Sequence, residues 1–178
     1  MHGIVTLFDD DHAALVRRVW RELGERFDVH GIDVTPHPHI SWQSADRYDL
    51  PALHERLAEL AATLAPLTLR TTGLAAFTGP HPVLYVPVVR SAELSAAHLR
   101  IWQALRPIGH DIRRHTAPAL WVPHVSLGHN DIDLPTLGAI VQRLAARRFE
   151  WTIPATNLAL IEDTDDGQQI TATYELRG

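Results

Sequence analysis

Pro38-His39-Ile40-Ser41-Trp42 has a counterpart in the second half of the chain, Pro123-His124-Val125-Ser126-Leu127, and this pair decides how the rest is read. On an extended strand successive side chains point to opposite faces, so His39 and Ser41 share one face while Ile40 and Trp42 share the other. The second copy divides in the same way, with His124 and Ser126 opposite Val125 and Leu127. Each strand thus offers an imidazole beside a hydroxyl on one side and an apolar pair for burial on the other. Two such strands side by side would gather two histidines and two serines around one small pocket.

The surroundings repeat along with the motif. His39 is followed by Asp49-Leu50-Pro51-Ala52-Leu53 and then Arg56-Leu57; His124 is followed, at nearly the same spacing, by Asp133-Leu134-Pro135-Thr136-Leu137 and then Arg143-Leu144. A strand, a turn and a helix start copied together indicate an internal duplication. The expectation is a single bilobal domain over residues 1–178, with pseudo-repeat halves of about 1–90 and 91–178.

Composition bounds the chemistry. A chain of 178 residues that is 46% hydrophobic can bury one substantial core. No apolar run approaches the length of a bilayer span, and the start, Met1-His2-Gly3-Ile4-Val5-Thr6-Leu7-Phe8, lacks a basic leader and a small-residue cleavage site, so a soluble, cytoplasmic protein is expected. The absence of cysteine removes disulfides, thiolate metal sites and a cysteine nucleophile. The chemistry must come from His, Ser, Arg and carboxylates. All 16 basic residues are Arg, which we read as coding bias. A formal net charge of −5 argues against coating a long polyanion, which requires neutralising many phosphates. It leaves room for a local phosphate pocket, and hence for a small phosphoester or the end of a nucleic acid rather than extended duplex.

Taken in order, residues 3–8 read as a strand and 11–27 as an amphipathic helix carrying Val16, Val19, Trp20 and Leu23 at helical spacing. The first motif strand covers 35–43, followed by a helix over 50–64 with Pro51 in its first turn. Strands at 67–78 and 83–90 form a hairpin around Gly79-Pro80-His81-Pro82, and Ser91 caps a helix containing Leu94, Ala97, Ile101 and Leu105. An irregular stretch at 110–119 precedes the second motif strand at 121–128. A helix over 134–147 buries Leu137, Val141 and Leu144, and strands at 150–162 and 168–176 flank an Asp165-Asp166-Gly167 turn. The fold class is α+β: two mainly antiparallel sheets, one motif strand in each, helices packed outside and a central cleft between them.

These residues resemble the 2H phosphoesterase superfamily, which includes the 2′-5′ RNA ligase-like and cyclic phosphodiesterase proteins. A further match is Phe77-Thr78-Gly79-Pro80-His81-Pro82-Val83-Leu84-Tyr85, similar to the family's aromatic-turn-Val-Leu-aromatic hairpin, with Tyr85 where the family often has Trp. The resemblance implies a phosphodiesterase that needs neither metal nor cofactor and acts on a 2′,3′-cyclic phosphate or 2′-5′ phosphodiester of a nucleotide or RNA end. Opening a cyclic phosphate needs a base to deprotonate water and an acid to protonate the departing oxygen, and imidazole serves either role near neutral pH. His39 and His124 take those roles, and Ser41 and Ser126 bind the phosphate oxygens. Phe77 and Tyr85 are candidates for stacking a base, and Arg113 and Arg114 for a phosphate contact. Trp42 is expected in the core, and His81 and His129 are weaker site candidates. Two rival readings are a metallohydrolase using His37, His39 and His124, for which no carboxylate sits at a matching offset, and a non-catalytic module that binds a nucleotide or RNA end.

Overall fold

The computed structural model describes residues 1–165 and 167–178; Asp166, the middle of the expected final turn, lies outside the described residues. β1 (His2–Leu7) leads into α1 (Asp10–Phe27), then β2 (His39–Tyr48) and α2 (Leu50–Thr63). Three short strands follow, β3 (Leu67–Arg70), β4 (Ala75–Phe77) and β5 (Val83–Pro87), and then α3 (Ala92–Leu105), β6 (Gly109–Ile112), β7 (His124–Gly128) and α4 (Leu134–Leu144). β8 (Thr152–Ala155), β9 (Asn157–Thr164) and β10 (Gly167–Glu175) complete the described elements.

The helices begin where their caps dictate. Asp9, Asp49, Ser91 and Asp133 each stand before a helix and accept a hydrogen bond from the backbone N–H three residues on, satisfying one of the donors that a helix start leaves unpaired. Asp49 and Asp133 are the duplicated positions, and each is followed by Leu-Pro with the proline in the first turn, where its missing N–H does no harm. The order β1-α1-β2-α2 therefore recurs, with β6 inserted, as β5-α3-β6-β7-α4.

The two motif strands lie in different sheets. One sheet has five strands in the order β10-β9-β1-β2-β6; another has three, β4-β5-β7; and β3 pairs with β8 separately. Every strand pairing is antiparallel. Both larger sheets take strands from both halves of the chain. The helices cross over: α1, which follows β1, packs against β7 and α4, whereas α3 packs against β2 and α2. Neither half-chain thus closes a core on its own.

Several boundaries differ from the sequence reading, each for a local reason. The expected strand at 67–78 is broken at Gly73, whose φ of +63° takes the chain out of the extended region; β3 then pairs with β8, and β4 with β5, with a single Thr71–Val88 bridge between the two groups. Residues 31–34 form a 3₁₀ turn instead of leading into a strand, so β2 starts at His39. The stretch expected to be irregular supplies β6, which edges the five-stranded sheet against β2. In α4 the buried side is Ile140 and Leu144, while Val141, expected inside, is 40% exposed.

Alternation along the motif strands is as the sequence requires: Ile40, Trp42, Val125 and Leu127 are buried, and His39, Ser41, His124 and Ser126 are half-buried on the opposite face. Trp42 donates through Nε1 to the Thr6 hydroxyl at 2.9 Å and forms a layered stack with Trp121 and His98, the last two with ring centroids 3.8 Å apart and planes 3° apart. His98 is fully buried and donates Nε2–H to the Trp42 carbonyl at 3.0 Å. Burial pulls its pKa down to about 4, outweighing the favourable carbonyl contact.

Because the unfolded chain protonates such a histidine near 6.5 and the folded protein waits until about 4, stability is present above that range and is lost as pH falls through it. The melting temperature should therefore decline as pH is lowered from about 6.5 to about 4, and His98→Gln should flatten that decline. A variant as pH-sensitive as the parent would contradict this role for His98.

Candidate active site

Each motif histidine is anchored in the same manner. His39 Nδ1 lies 2.6 Å from the His37 carbonyl oxygen, and His124 Nδ1 lies 2.7 Å from that of Val122. A carbonyl only accepts, so Nδ1 carries the proton in both rings and Nε2 is the nitrogen left for chemistry. The residue between carbonyl and histidine is proline in each case, Pro38 and Pro123. Proline has no N–H of its own and disposes the preceding residue to extended backbone. The proline carbonyls are in turn held by the neighbouring strand's exit, Phe8 N–H to Pro38 O at 3.2 Å and Val88 N–H to Pro123 O at 2.9 Å.

The serines are braced through their backbones. The Ser126 carbonyl accepts Nε1–H of Trp20 at 3.0 Å, and the Ser41 carbonyl accepts Nε1–H of Trp121 at 2.9 Å. Trp20 belongs to α1 and Ser126 to β7, so this bond ties the first helix to the second motif strand across the molecule.

His39, Ser41, His124 and Ser126 line one inner pocket with an empty volume of about 440 Å³. His37, Thr35, His129 and Gln168 complete its polar lining. Ser41, His124, Ser126 and His129 also border an adjoining outer groove of about 1340 Å³, whose other walls include Phe77, Arg113, His115, Leu120 and Val122. The two spaces share these four residues, and His39 lines only the inner one.

Electrostatics in the inner pocket favour neutral imidazoles. Burial pulls His39 down to about 4; the neighbouring His124 and His37 push the same way, and the His37 carbonyl opposes them. His124 is also lowered, first by burial and then by His115, with the Val122 carbonyl opposing. His37 is lowered by burial and by Arg17.

The remaining sequence candidates are distributed unequally. Phe77 lines the outer groove and meets the edge of the His124 ring at 5.1 Å between centroids. Tyr85 stacks on Phe77 at 4.2 Å but is only 8% exposed and borders neither space, so of the two aromatics it is Phe77 that a ligand can reach. Arg113 lines the groove and is bonded to Asp46 Oδ1 at 2.6 Å, whereas Arg114 lies outside both linings. His81 is exposed at the hairpin tip. His129, ranked low from its position beyond the motif, lines both spaces. Thr35 and Gln168 sit in no motif, and only the folding of the 3₁₀ turn and of β10 brings them to the pocket. The rival set His37, His39 and His124 does not converge as a chelating group: among the described residues no three His, Asp or Glu side chains are placed to share a metal ion.

The loops over the inner pocket are clasped together. Asp131 Oδ2 accepts the backbone N–H groups of His30 and Gly31 at 2.5 and 2.6 Å. Gly31 is required there because a Cβ would fall 1.9 Å from the His129 carbonyl oxygen.

A family model described as the 2′-5′ RNA ligase superfamily matches residues 8–167, a span that contains both anchored histidines. The chain belongs to this superfamily. The solved structures that share its fold include TT0787 of Thermus thermophilus, at 18% identity and a TM-score of 0.68 over 99% of this chain and 98% of that one. A protein described as a phosphoesterase superposes at a TM-score of 0.62 and 11% identity, covering 99% of this chain and 98% of its own. E. coli LigT complexed with NADP+ gives 0.60 and 11%, covering 99% and 97%. At these identities the superpositions establish the fold. A comparison with curated proteins by sequence finds no match. Superfamily membership carries the phosphoesterase class with it, and the matched span includes both His39 and His124.

The contrast between the two aromatics gives a test. Tyr85→Ala should destabilise the protein by about 3 kcal/mol, as expected for emptying a buried aromatic site, measured by urea unfolding. Phe77→Ala should leave stability within about 1 kcal/mol of the parent, because its ring is only half-buried. Equal losses in the two would contradict the assignment of Tyr85 to the core and Phe77 to the groove.

Proposed function

We propose that the protein is a metal-independent phosphodiesterase that opens a 2′,3′-cyclic phosphate or cleaves a 2′-5′ phosphodiester at a nucleotide or RNA end. The observation that carries this reading is the pair of Nδ1-anchored histidines, which offer two Nε2 atoms to one pocket beside two serine hydroxyls. One Nε2 takes a proton from the attacking water and the other gives a proton to the departing ribose oxygen, so the reaction needs one neutral and one charged ring. His39, whose pKa burial pulls to about 4, is the group suited to be neutral and to act as base. His124 then acts as acid. The Ser41 and Ser126 hydroxyls donate to the non-bridging oxygens, where charge grows in the transition state.

The size and lining of the outer groove support a nucleotide as the substrate. Phe77 offers an aromatic face for a base, and base stacking on such a face contributes roughly 1–3 kcal/mol. E. coli LigT, whose fold this chain shares, has been crystallised with NADP+, 3′-AMP and ATP, which supports a ligand of nucleotide size. The formal net charge of −5 supports a short substrate over extended duplex, and cytoplasmic residence accords with the lack of any helix, among the described residues, that is long and apolar enough to cross a membrane.

The test is a panel of 2′,3′-cyclic and 2′-5′-linked nucleotides assayed with a chelator present throughout. Turnover of at least one is expected, and His39→Ala and His124→Ala should each reduce it by roughly 10²–10⁴-fold. For kcat/KM, which reports the free enzyme, the rising limb should fall near pH 4 as His39 loses its proton. The falling limb should lie below 6.5, where His124 loses the proton it must donate. The optimum therefore belongs on the acid side of neutrality. The kcat profile should sit higher, because a bound phosphodiester anion favours both charged rings. An optimum of kcat/KM above about pH 8, or full turnover by either single variant, would contradict the mechanism.

A further inference from the structure

Among the described residues, no permanent cation lines the inner pocket. Among the described residues its lining includes four imidazoles, those of His37, His39, His124 and His129, but neither Arg nor Lys, and neither Asp nor Glu. The charged groups nearby lie outside that lining. Arg17 on α1 is exposed and acts on His37 from beyond the pocket. Arg113 and His115 border the outer groove, and Arg113 is bonded to Asp46. From the loop after β7, Asp131 holds the backbone N–H groups of His30 and Gly31; from the end of β9, Asp163 accepts Nε2–H of Gln168 at 2.9 Å and lies 3.7 Å from the Met1 ammonium, which borders the outer groove.

Among the described residues that line the inner pocket, positive charge therefore arises only as protons on the histidines. His39 and His124 have Nδ1 committed to carbonyls, so each gains charge only through Nε2, and burial resists that step in both. A phosphodiester brings one negative charge, which a single protonated ring balances. A phosphomonoester above its second pKa of about 6 brings nearly two and needs a second proton. An anion taken from water without a matching partner binds poorly.

We propose that the inner pocket selects singly charged phosphodiesters against doubly charged phosphomonoesters, so that the enzyme sheds its own product at neutral pH and retains it in acid. The inference rests on the phosphodiesterase reading and adds to it a charge rule for the same pocket. The selectivity lies in the absence of a fixed cation, and His129, which borders both inner pocket and outer groove, is the position at which a fixed cation would abolish it.

The test is calorimetric binding of 2′-deoxyadenosine 3′-monophosphate and of its 3′-methyl phosphate diester, neither of which can form a cyclic phosphate. At about pH 8 the diester should bind at least about tenfold more tightly, a difference of about 1.4 kcal/mol. At about pH 5.5 the gap should close to within about threefold, since the monoester has taken up its proton and the rings charge more readily. His129→Arg should tighten monoester binding at about pH 8 by about tenfold or more and remove the discrimination. Monoester binding as tight as diester binding at about pH 8 in the parent protein, or no diester binding at either pH, would overturn the proposal. If cyclic nucleotides are turned over while the monoester binds equally well, the charge rule alone fails. If discrimination is measured without any turnover, the phosphodiesterase reading fails and the charge rule stands.

Discussion

The hydrogen bond from each motif histidine's Nδ1 to the carbonyl two residues upstream is the constraint on which the rest of the site depends. An imidazole on a strand is free to turn about two torsions and to hold its proton on either nitrogen; a carbonyl acceptor at 2.6 or 2.7 Å removes both freedoms at once. The intervening prolines make the acceptor dependable, because they hold the backbone extended and add no donor that would compete for it. The bond has an opposite electrostatic consequence from that of its surroundings. It favours the charged ring, whereas burial disfavours it, and burial wins at both histidines. The outcome is a pair of neutral rings, oriented before any ligand arrives, whose protonation a phosphate anion would assist.

Orientation would be of little use if the two strands could drift apart. The helix exchange opposes that: α1 lies against β7 and α3 against β2, so each motif strand is backed by a helix from the other half of the chain. Specific bonds follow the same crossing pattern. Trp20 on α1 holds the Ser126 carbonyl, His98 on α3 holds the Trp42 carbonyl, and Trp121, leading into β7, holds the Ser41 carbonyl. Pulling the two motif strands apart would exchange these bonds for bonds to water, a net loss of roughly 0.5–1.5 kcal/mol for each. The spacing of the two motif strands is thus tied to the packing of the whole chain rather than to either strand alone.

Much of this was legible in the sequence because it is carried by local patterns. The alternation of His39-Ile40-Ser41-Trp42 and of its repeat assigns the faces of both strands, and Asp-Leu-Pro announces both following helices through their caps. What escaped depends on tertiary context. Gly73 breaks the stretch 67–78 into strands of two sheets, which periodicity alone cannot distinguish from one strand. Phe77 and Tyr85 flank the same turn and look equivalent, yet the pairing with β7 buries Tyr85 and leaves Phe77 facing the groove. Thr35 and Gln168 reach the pocket from two separate segments and nothing in their own neighbourhoods advertises it, whereas His129 lies close enough to the second motif to stand as a weaker candidate. His98 carries an apolar-face position in α3 but reads as polar, and only the Trp42 and Trp121 rings on which it stacks explain its burial.

The central claim is that both histidines present a bare Nε2 to the cleft because Nδ1 is spent on a backbone carbonyl. Nitrogen-15 NMR of the ring nitrogens, titrated from about pH 8 downward with His39→Gln and His124→Gln for assignment, tests this directly. The account predicts that at the start of the titration both rings are the neutral Nδ1–H tautomer, and that on acidification His39 takes up its proton near pH 4 and His124 does so below 6.5. A neutral Nε2–H tautomer at either histidine, or ordinary titration of His39 near 6.5, would contradict it.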